Sequence, residues 1–522
     1  MKAKVSDQDL ALPDASEFHL GMTKDIREQL WTLLHGDEAA DAYERGVMCV
    51  LTRSPGKKRL TYLVREVVPP NEDDVDFSEG VIFSREYRQR VKERADANDG
   101  GVLYLHTHPW GSGRPSWWDL QSGRKNLHND AQHLDHTNPP LAIGVVTPSD
   151  DWMILGCEYP GSTSVSQGEA RYASAILVVG ERLEKLETYT GSENVSGASG
   201  AIGSIDPETQ DRQIRLWTRE AQEAYAGLRV GIVGLGGVGS ILAEHVARAG
   251  VDSLVLADFD VVKEENLNRQ QGATSVDASI WRPKIDVAAR TARRSATNPE
   301  FDVEQVYGSV VEDDPDGAAY RDLLDCDVIL NAADGHWTTQ VLDEIAHAHL
   351  IPVISGGTRP ETDDNGVLMD TSKGPITISA PGHPCFRCCR QYRTKKAEKE
   401  RHGGHEPGPV YNFDGGNQNE RGDEEDDEPA PSVISLNAIV AGLMHLRLQD
   451  LALGVTGHAV GERRYLPASW DFQMGRTECR SECDRHEIVA AGQGHIFPLS
   501  KDHKFEKVRT ELKTRTSGGS DR

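Results

Sequence analysis

"RVGIVGLGGVGSILAEHVARAGV", residues 229–251, decides how the second half of this chain folds. A short apolar strand runs into Gly234, Gly236, Gly237 and Gly239, and a helix follows. Glycines at that junction permit a tight turn and let phosphate oxygens approach backbone amides at a helix N-terminus. The pattern points to a nucleotide without separating NAD from ATP. Asp258, closing the next apolar run "SLVLAD", stands where a carboxylate can hydrogen-bond a ribose.

The residues downstream choose the chemistry. "ADFDVVKEENLNRQ" adds Asp260, Asn266 and Arg269, "WRPKIDVAAR" adds Lys284, and "LNAADG" adds Asp334. Hydride transfer has no need for an arginine and a lysine converging on phosphates. Nucleotidyl transfer does, because cations offset charge on the α-phosphate and a carboxylate holds magnesium. The runs "VILNAAD" and "PVISGG" continue the alternation of short strands and helical stretches expected of a doubly wound parallel sheet.

Outward from this core the composition changes. "TGSENVSGASGAIGSIDPE" is rich in Gly and Ser and reads as a flexible linker over 191–208. Before it, residues 16–190 alternate strands with helical stretches. "GVMCVLTR" and "RLTYLVREVV" read as a hairpin, "SREYRQRVKERADAND" as a polar-faced helix, and "GVLYLHTH", "LAIGVVTP" and "DWMILGCEY" as further strands. After it, 209–490 forms the nucleotide domain, with an acidic, Gly-rich flexible loop at 414–431 and a strongly apolar helix in "SVISLNAIVAGLMHLRLQDLALG". Residues 505–522 read as a disordered tail. The expected fold class is α/β: an N-terminal α+β domain followed by a Rossmann-like adenylation domain.

A second constellation lies in "YLHTHPWGSGRPSWWDLQS", residues 104–122. His106 and His108 are two apart on a strand and face the same side. "PSWWDL" starts a helix, with Ser116 near its cap and Asp119 in its first turn. Two imidazoles and a carboxylate leave a fourth tetrahedral position open, the arrangement of a catalytic zinc that makes water a nucleophile near neutral pH.

Both halves resemble known families. H-x-H-P-x6-S-x-x-D resembles the JAMM motif of JAB/MPN metalloproteases, which cleave peptide or isopeptide bonds after ubiquitin-like C-termini. The resemblance implies His106, His108 and Asp119 as zinc ligands, Ser116 as a support for the oxyanion, and an upstream glutamate as general base. Glu44, in "AYERGVMCVL", fits by its place just before an apolar strand; Glu66, in "LVREVVPP", lies inside the next one. Trp110, Trp117 and Trp118 either shape a groove for a substrate tail or pack in the core.

Residues 210–490 resemble the ThiF/MoeB/ubiquitin-activating family. G-x-G-G-x-G, D-x-D, N-L-N-R-Q, the P-K pair and the later aspartate occur in order, preceded by "DRQIRLWTREAQ". The resemblance implies ATP and Mg2+ as cofactors. Asp258 would bind ribose, Arg269 and Lys284 the triphosphate, and Asp334 magnesium. Arg212 would reach into the site of the partner subunit in a homodimer. The implied reaction is adenylation of the C-terminal carboxylate of a ubiquitin-like protein. Fusions of the two families resemble components of bacterial ubiquitin-like systems, some tied to phage defence, in which a conjugating-type enzyme follows. A sulfur-carrier protein trimmed and activated for thiolation is the alternative substrate, and a binding scaffold with one inert domain is the alternative of another class.

Cys385-x-x-Cys388 and Cys479-x-x-x-Cys483 fit a structural zinc held by two clips, with Cys389 or His486 as substitute ligands. No cysteine lies between Arg390 and Ser435, where thioester-forming relatives carry their nucleophile. The formal net charge of −26 disfavours nucleic acid as a partner. No apolar run is long enough to span a bilayer, and "MKAKVSDQDLALPDAS" has no apolar h-region, so a cytoplasmic location without membrane association is expected.

Overall fold

The computed structural model describes residues 17–36, 44–76, 80–108, 116–136, 138–159, 169–188, 202–315, 317–369, 373–404, 432–457 and 460–518, with only the backbone of Trp117, Trp118 and residues 516–518. Two sheets organise it.

The first sheet has nine strands, in the order Leu183–Glu187, Ala175–Val179, Glu17–Thr23, Arg59–Val68, Gly46–Pro55, Gly101–Thr107, Leu141–Val146, Trp152–Glu158 and Glu169–Tyr172. The hairpin runs from Met48 opposite Val68 to Pro55 opposite Leu60. Alternation along its first strand serves two cores. Val47, Cys49 and Leu51 join the apolar cluster around Leu20, Leu30 and Leu103. Met48 and Val50 face the other side, with Tyr87 and Val91 of the helix Arg85–Ala97. Apolar layers thus lie on both faces of this mixed sheet.

The second sheet has eight strands, in the order Asp302–Val306, Ser253–Ala257, Arg229–Val233, Val328–Asn331, Val353–Gly356, Gly374–Ser379, Arg463–Leu466 and Asp471–Met474. The first five are parallel and the last three antiparallel. The chain runs outward from Arg229–Val233 to one edge, then returns to its other side with Val328–Asn331. That reversal is the switch point at which such sheets bind ligands. Helices Gly237–Arg248, Lys284–Ser295 and Ile434–Leu453 cover one face, and His336–Ala348 covers the other.

The two sheets are joined by buried charge. The Arg59 guanidinium pairs with Asp327, and Lys185 Nζ lies 3.1 Å from the same carboxylate. Burial alone would raise the Asp327 carboxyl, but Lys185 and Arg59 hold it well below the usual carboxylate range. Asp325 accepts the backbone N–H groups of Lys58 and Arg59 at 3.0 and 2.9 Å. Leu63, Val179 and Leu183 of the first unit pack into the apolar cluster of the second. Asp325 and Asp327 precede the strand Val328–Asn331, so the first unit docks on the edge where the parallel strands begin. Nucleotides bind such sheets at the opposite edge.

Three expectations need adjustment. Residues 503–518 form a helix instead of a disordered tail, because Phe505 is buried and anchors it. Within the expected linker, Gly203 N–H donates to Glu223 O at 2.9 Å and Ser204 O accepts from Asn298 at 2.7 Å, so its end is pinned to the second unit. That unit also runs past residue 490, with Phe497 and Leu499 packed against its core. The acidic loop at 414–431 lies outside the described residues. Among the described residues, no helix is long and apolar enough to cross a membrane.

Candidate functional sites

The strand Gly101–Thr107 ends on His106 and Thr107, and His108 follows directly. His106 Nε2 lies 3.3 Å from His108 Nε2 and 3.4 Å from Asp119 Oδ1, and His108 Nε2 lies 3.3 Å from Asp119 Oδ2. A tetrahedron with zinc–nitrogen and zinc–oxygen bonds of about 2.0–2.1 Å has edges of about 3.3 Å. The two imidazole nitrogens stand at that spacing, and the Asp119 carboxylate meets each of them through a different oxygen, so the three side chains converge closely enough to hold one zinc ion.

Local chemistry fixes the carboxylate. Ser116 caps the helix Trp117–Ala131: its Oγ accepts Asp119 N–H at 3.1 Å, and Asp119 Oδ2 accepts Ser116 N–H at 2.6 Å. Burial opposes ionisation of Asp119, yet hydrogen bonds from His106 and His108 hold its carboxyl well below the usual range. Gly46 pairs with His106 in an antiparallel register and Thr107 N–H donates to Arg45 O at 2.8 Å, so Glu44 directly precedes the strand segment that runs beside the histidines. Glu66 instead pairs with Val50, farther along the hairpin, and its carboxylate binds Arg94. Trp110 lies outside the described residues.

The second cluster gathers Cys385, Cys388, Cys479 and Cys483, whose sulfurs all lie within 4.8 Å of one another. Cys385 Sγ and Cys483 Sγ are 3.6 Å apart, against about 3.8 Å for the edge of a zinc–thiolate tetrahedron. Backbone N–H groups of Cys385, Cys388 and Arg480 donate to sulfurs at 3.2–3.4 Å, as thiolates require. The wider second clip is thus accommodated. Cys389 is buried outside this group, its thiol pushed up by burial, and His486 is not among the four.

At the switch point, Gly234 has φ +82°, and a Cβ there would meet Ala333 N at 2.7 Å. A Cβ on Gly239 would lie 1.8 Å from Gly234 O, so the turn closes on itself. Gly236, the N-cap of Gly237–Arg248, has no atom within 4 Å of its Cβ position and faces open space. Room and unclaimed amides suit an anion.

Charged groups ring that space. Asp258 accepts Leu235 N–H and Asp260 N–H, both at 2.6 Å. Lys284 Nζ donates to Asp260 Oδ2 at 2.9 Å. Burial would lower the Lys284 ammonium, but Asp258, Asp260 and Asp334 raise it, so it stays charged. Asn266 caps its own turn by accepting Lys263 N–H at 2.9 Å. The Arg269 side chain passes 3.7 Å from the Cβ position of Gly237. Asp334 is exposed just after the strand Val328–Asn331. Arg212 is apart from this group, exposed on the helix Asp211–Trp217, which buries none of its side chains. Asn437 was not foreseen: it is buried against Gly237, and its one signal is a lone amide at the start of an apolar helix.

The fold and this site define a Rossmann-like α/β unit with a glycine turn at its switch point and cations and carboxylates around it. A model of the ThiF family matches residues 210–487, and the chain belongs to that family. It is 33% identical over 182 residues to the molybdopterin-synthase adenylyltransferase of Escherichia coli, covering 34% of this chain and 66% of that protein. It is 30% identical over 169 residues to the SAMP-activating enzyme E1 of Haloferax volcanii, covering 32% and 56%. To the sulfur carrier protein ThiS adenylyltransferase of Bacillus subtilis it is 33% identical over 160 residues, covering 31% and 43%. The chain thus spans between 43% and 66% of these relatives' length. The first unit lies outside the matched family residues.

Proposed function

We propose that the second unit adenylates the C-terminal carboxylate of a ubiquitin-like or sulfur-carrier protein. The observation that carries the reading is Lys284, kept charged among Asp258, Asp260 and Asp334 beside the glycine turn. A carboxylate oxygen of the protein tail attacks the α-phosphorus of ATP, the bond to the β-phosphate oxygen breaks, and pyrophosphate leaves. Lys284 and Arg269 offset charge on the phosphates, amides of the glycine turn hold them, and Asp258 takes the ribose. Asp334 would hold magnesium, which supplies further charge neutralisation when bound. The named targets of the relatives, molybdopterin synthase, SAMP and ThiS, support this substrate class. Arg212, beside the 70%-exposed Leu216, would complete the site of a second copy in a homodimer. With no cysteine between Arg390 and Ser435, the acyl adenylate would pass directly to its acceptor or to a thiol supplied by Cys389 or a partner.

The first unit is read as a zinc peptidase for the same tail, processing or removing it. His106, His108 and Asp119 would hold the ion, which supplies Lewis acidity. Glu44 would take a proton from water and pass it to the leaving amine. Ser116 Oγ accepts Asp119 N–H, which leaves its hydroxyl hydrogen to support the oxyanion. The four cysteines would hold a structural zinc. The test is capture of the acyl adenylate: incubation with ATP and a Gly-Gly-ended ubiquitin-like protein in hydroxylamine should give the C-terminal hydroxamate by mass spectrometry. No hydroxamate from any such protein would remove the adenylation reading.

A further inference from the structure

The helix His503–Gly518 crosses the edge at which the parallel strands end. Phe505, 2% exposed, has its ring 5.3 Å from Phe259 and 5.9 Å from Tyr307. Phe259 lies between Asp258 and Asp260, and Tyr307 is the first residue after the strand Asp302–Val306. Ahead of the helix, Asp502 accepts the Ser309 hydroxyl at 2.6 Å, and its N–H donates to Glu312 at 2.9 Å. Toward its far end, Arg515 donates to Ser279 O at 2.6 Å and sits 4.5 Å from the Trp281 ring, three residues before Lys284. The helix is therefore tied to the loops after two adjacent strands and to the loop that delivers the phosphate lysine.

Strand order gives this placement a meaning, and the inference rests on the adenylation reading. Phosphates sit on the glycine turn after Arg229–Val233. The ribose sits on Asp258, after the next strand outward. A nucleotide laid along that line brings its base to the loop after the third strand, where Tyr307 stands 36% exposed. Tyr307 lies close enough to Asp258 and Asp260 that burial and these carboxylates together raise its hydroxyl. Arg509 lies on the same helix, 5.3 Å from the centre of the Phe505 ring.

We propose that the C-terminal helix forms the base-side wall of the nucleotide site, with Tyr307 stacking on the base and Phe505 holding Tyr307 in place. Phe505 is then a positioning residue, and Arg509 secures its outer face.

The test uses the full chain and two probes, MgATP and magnesium tripolyphosphate, by isothermal titration. Tyr307→Ala, partly exposed and tolerable to the fold, should weaken ATP about tenfold, the scale of one base–aromatic stack. Phe505→Ala should do the same, and Phe505→Leu should recover most of the loss. Tripolyphosphate, which has no base, should bind all variants within about twofold of wild type. Unchanged ATP affinity in Tyr307→Ala and Phe505→Ala, or an equal loss for tripolyphosphate, overturns the proposal while leaving adenylation standing. A wild-type chain that binds neither probe overturns both.

Discussion

The Arg59 guanidinium and the Asp327 carboxylate meet at the junction of the two sheets with side chains 2% and 0% exposed. Neither charge is exposed to water, so each depends on the other, and the carboxylate also on Lys185. Removing one partner leaves an uncompensated buried charge, which typically destabilises by about 3–5 kcal/mol. Asp327→Ala should therefore lower the unfolding free energy measured by urea denaturation by that amount. A fall of less than about 1 kcal/mol would show that the junction is wet.

The same pair sets a pH dependence. The folded Asp327 carboxyl lies well below its unfolded range, so its contribution is fully present above the unfolded pKa of about 3.9. It is lost as pH falls below that value toward the folded pKa. Asp327→Asn should flatten the acid limb of a Tm-against-pH curve and leave its shape above about pH 5 unchanged.

Two zinc ions per chain are expected, with separable fates. His108→Ala should remove one by elemental analysis and leave the melting temperature within a few degrees. Cys385→Ser should remove the other and lower the melting temperature more, because that site clips two distant segments together. A single zinc that disappears in both variants would contradict the assignment.

Glu44→Gln should keep its zinc and lose about 100-fold or more in cleavage of a ubiquitin-like precursor, the scale of a general base. Glu66→Gln, with only its Arg94 pair to lose, should cleave normally. The opposite pattern would transfer the role to Glu66.

The glycine turn separates fold from function. Gly236→Ala places its methyl in open space, so the protein should fold normally while ATP binding weakens several-fold. Gly239→Ala drives a methyl into Gly234 O and should destabilise the whole unit. Circular dichroism melts beside ATP titrations distinguish the two.

Much of both sites was legible because their determinants are local. Gly234 to Gly239 lie within one strand–turn–helix unit, and His106, His108, Ser116 and Asp119 span a single strand end and the next helix cap. Distant packing was not legible. "HKFEKVRTELKTRTS" has little amphipathic pattern, and its order comes from Phe505 meeting Phe259 and Tyr307 some two hundred residues away. The Arg59–Asp327 junction likewise joins two segments that look like ordinary surface charge. The strand Glu17–Thr23 lies between Ala175–Val179 and Arg59–Val68, a pairing that no short window reveals.

The proposed reaction is activation of a protein carboxylate by ATP. ATP–pyrophosphate exchange, measured with the zinc-loaded full chain, magnesium and Gly-Gly-ended ubiquitin-like proteins, tests it most directly. Exchange should depend on the tag's C-terminal glycine and fall at least 100-fold in Lys284→Ala and Asp334→Ala. Exchange undiminished in Asp334→Ala, or absent with every tag in the wild-type chain, would contradict it.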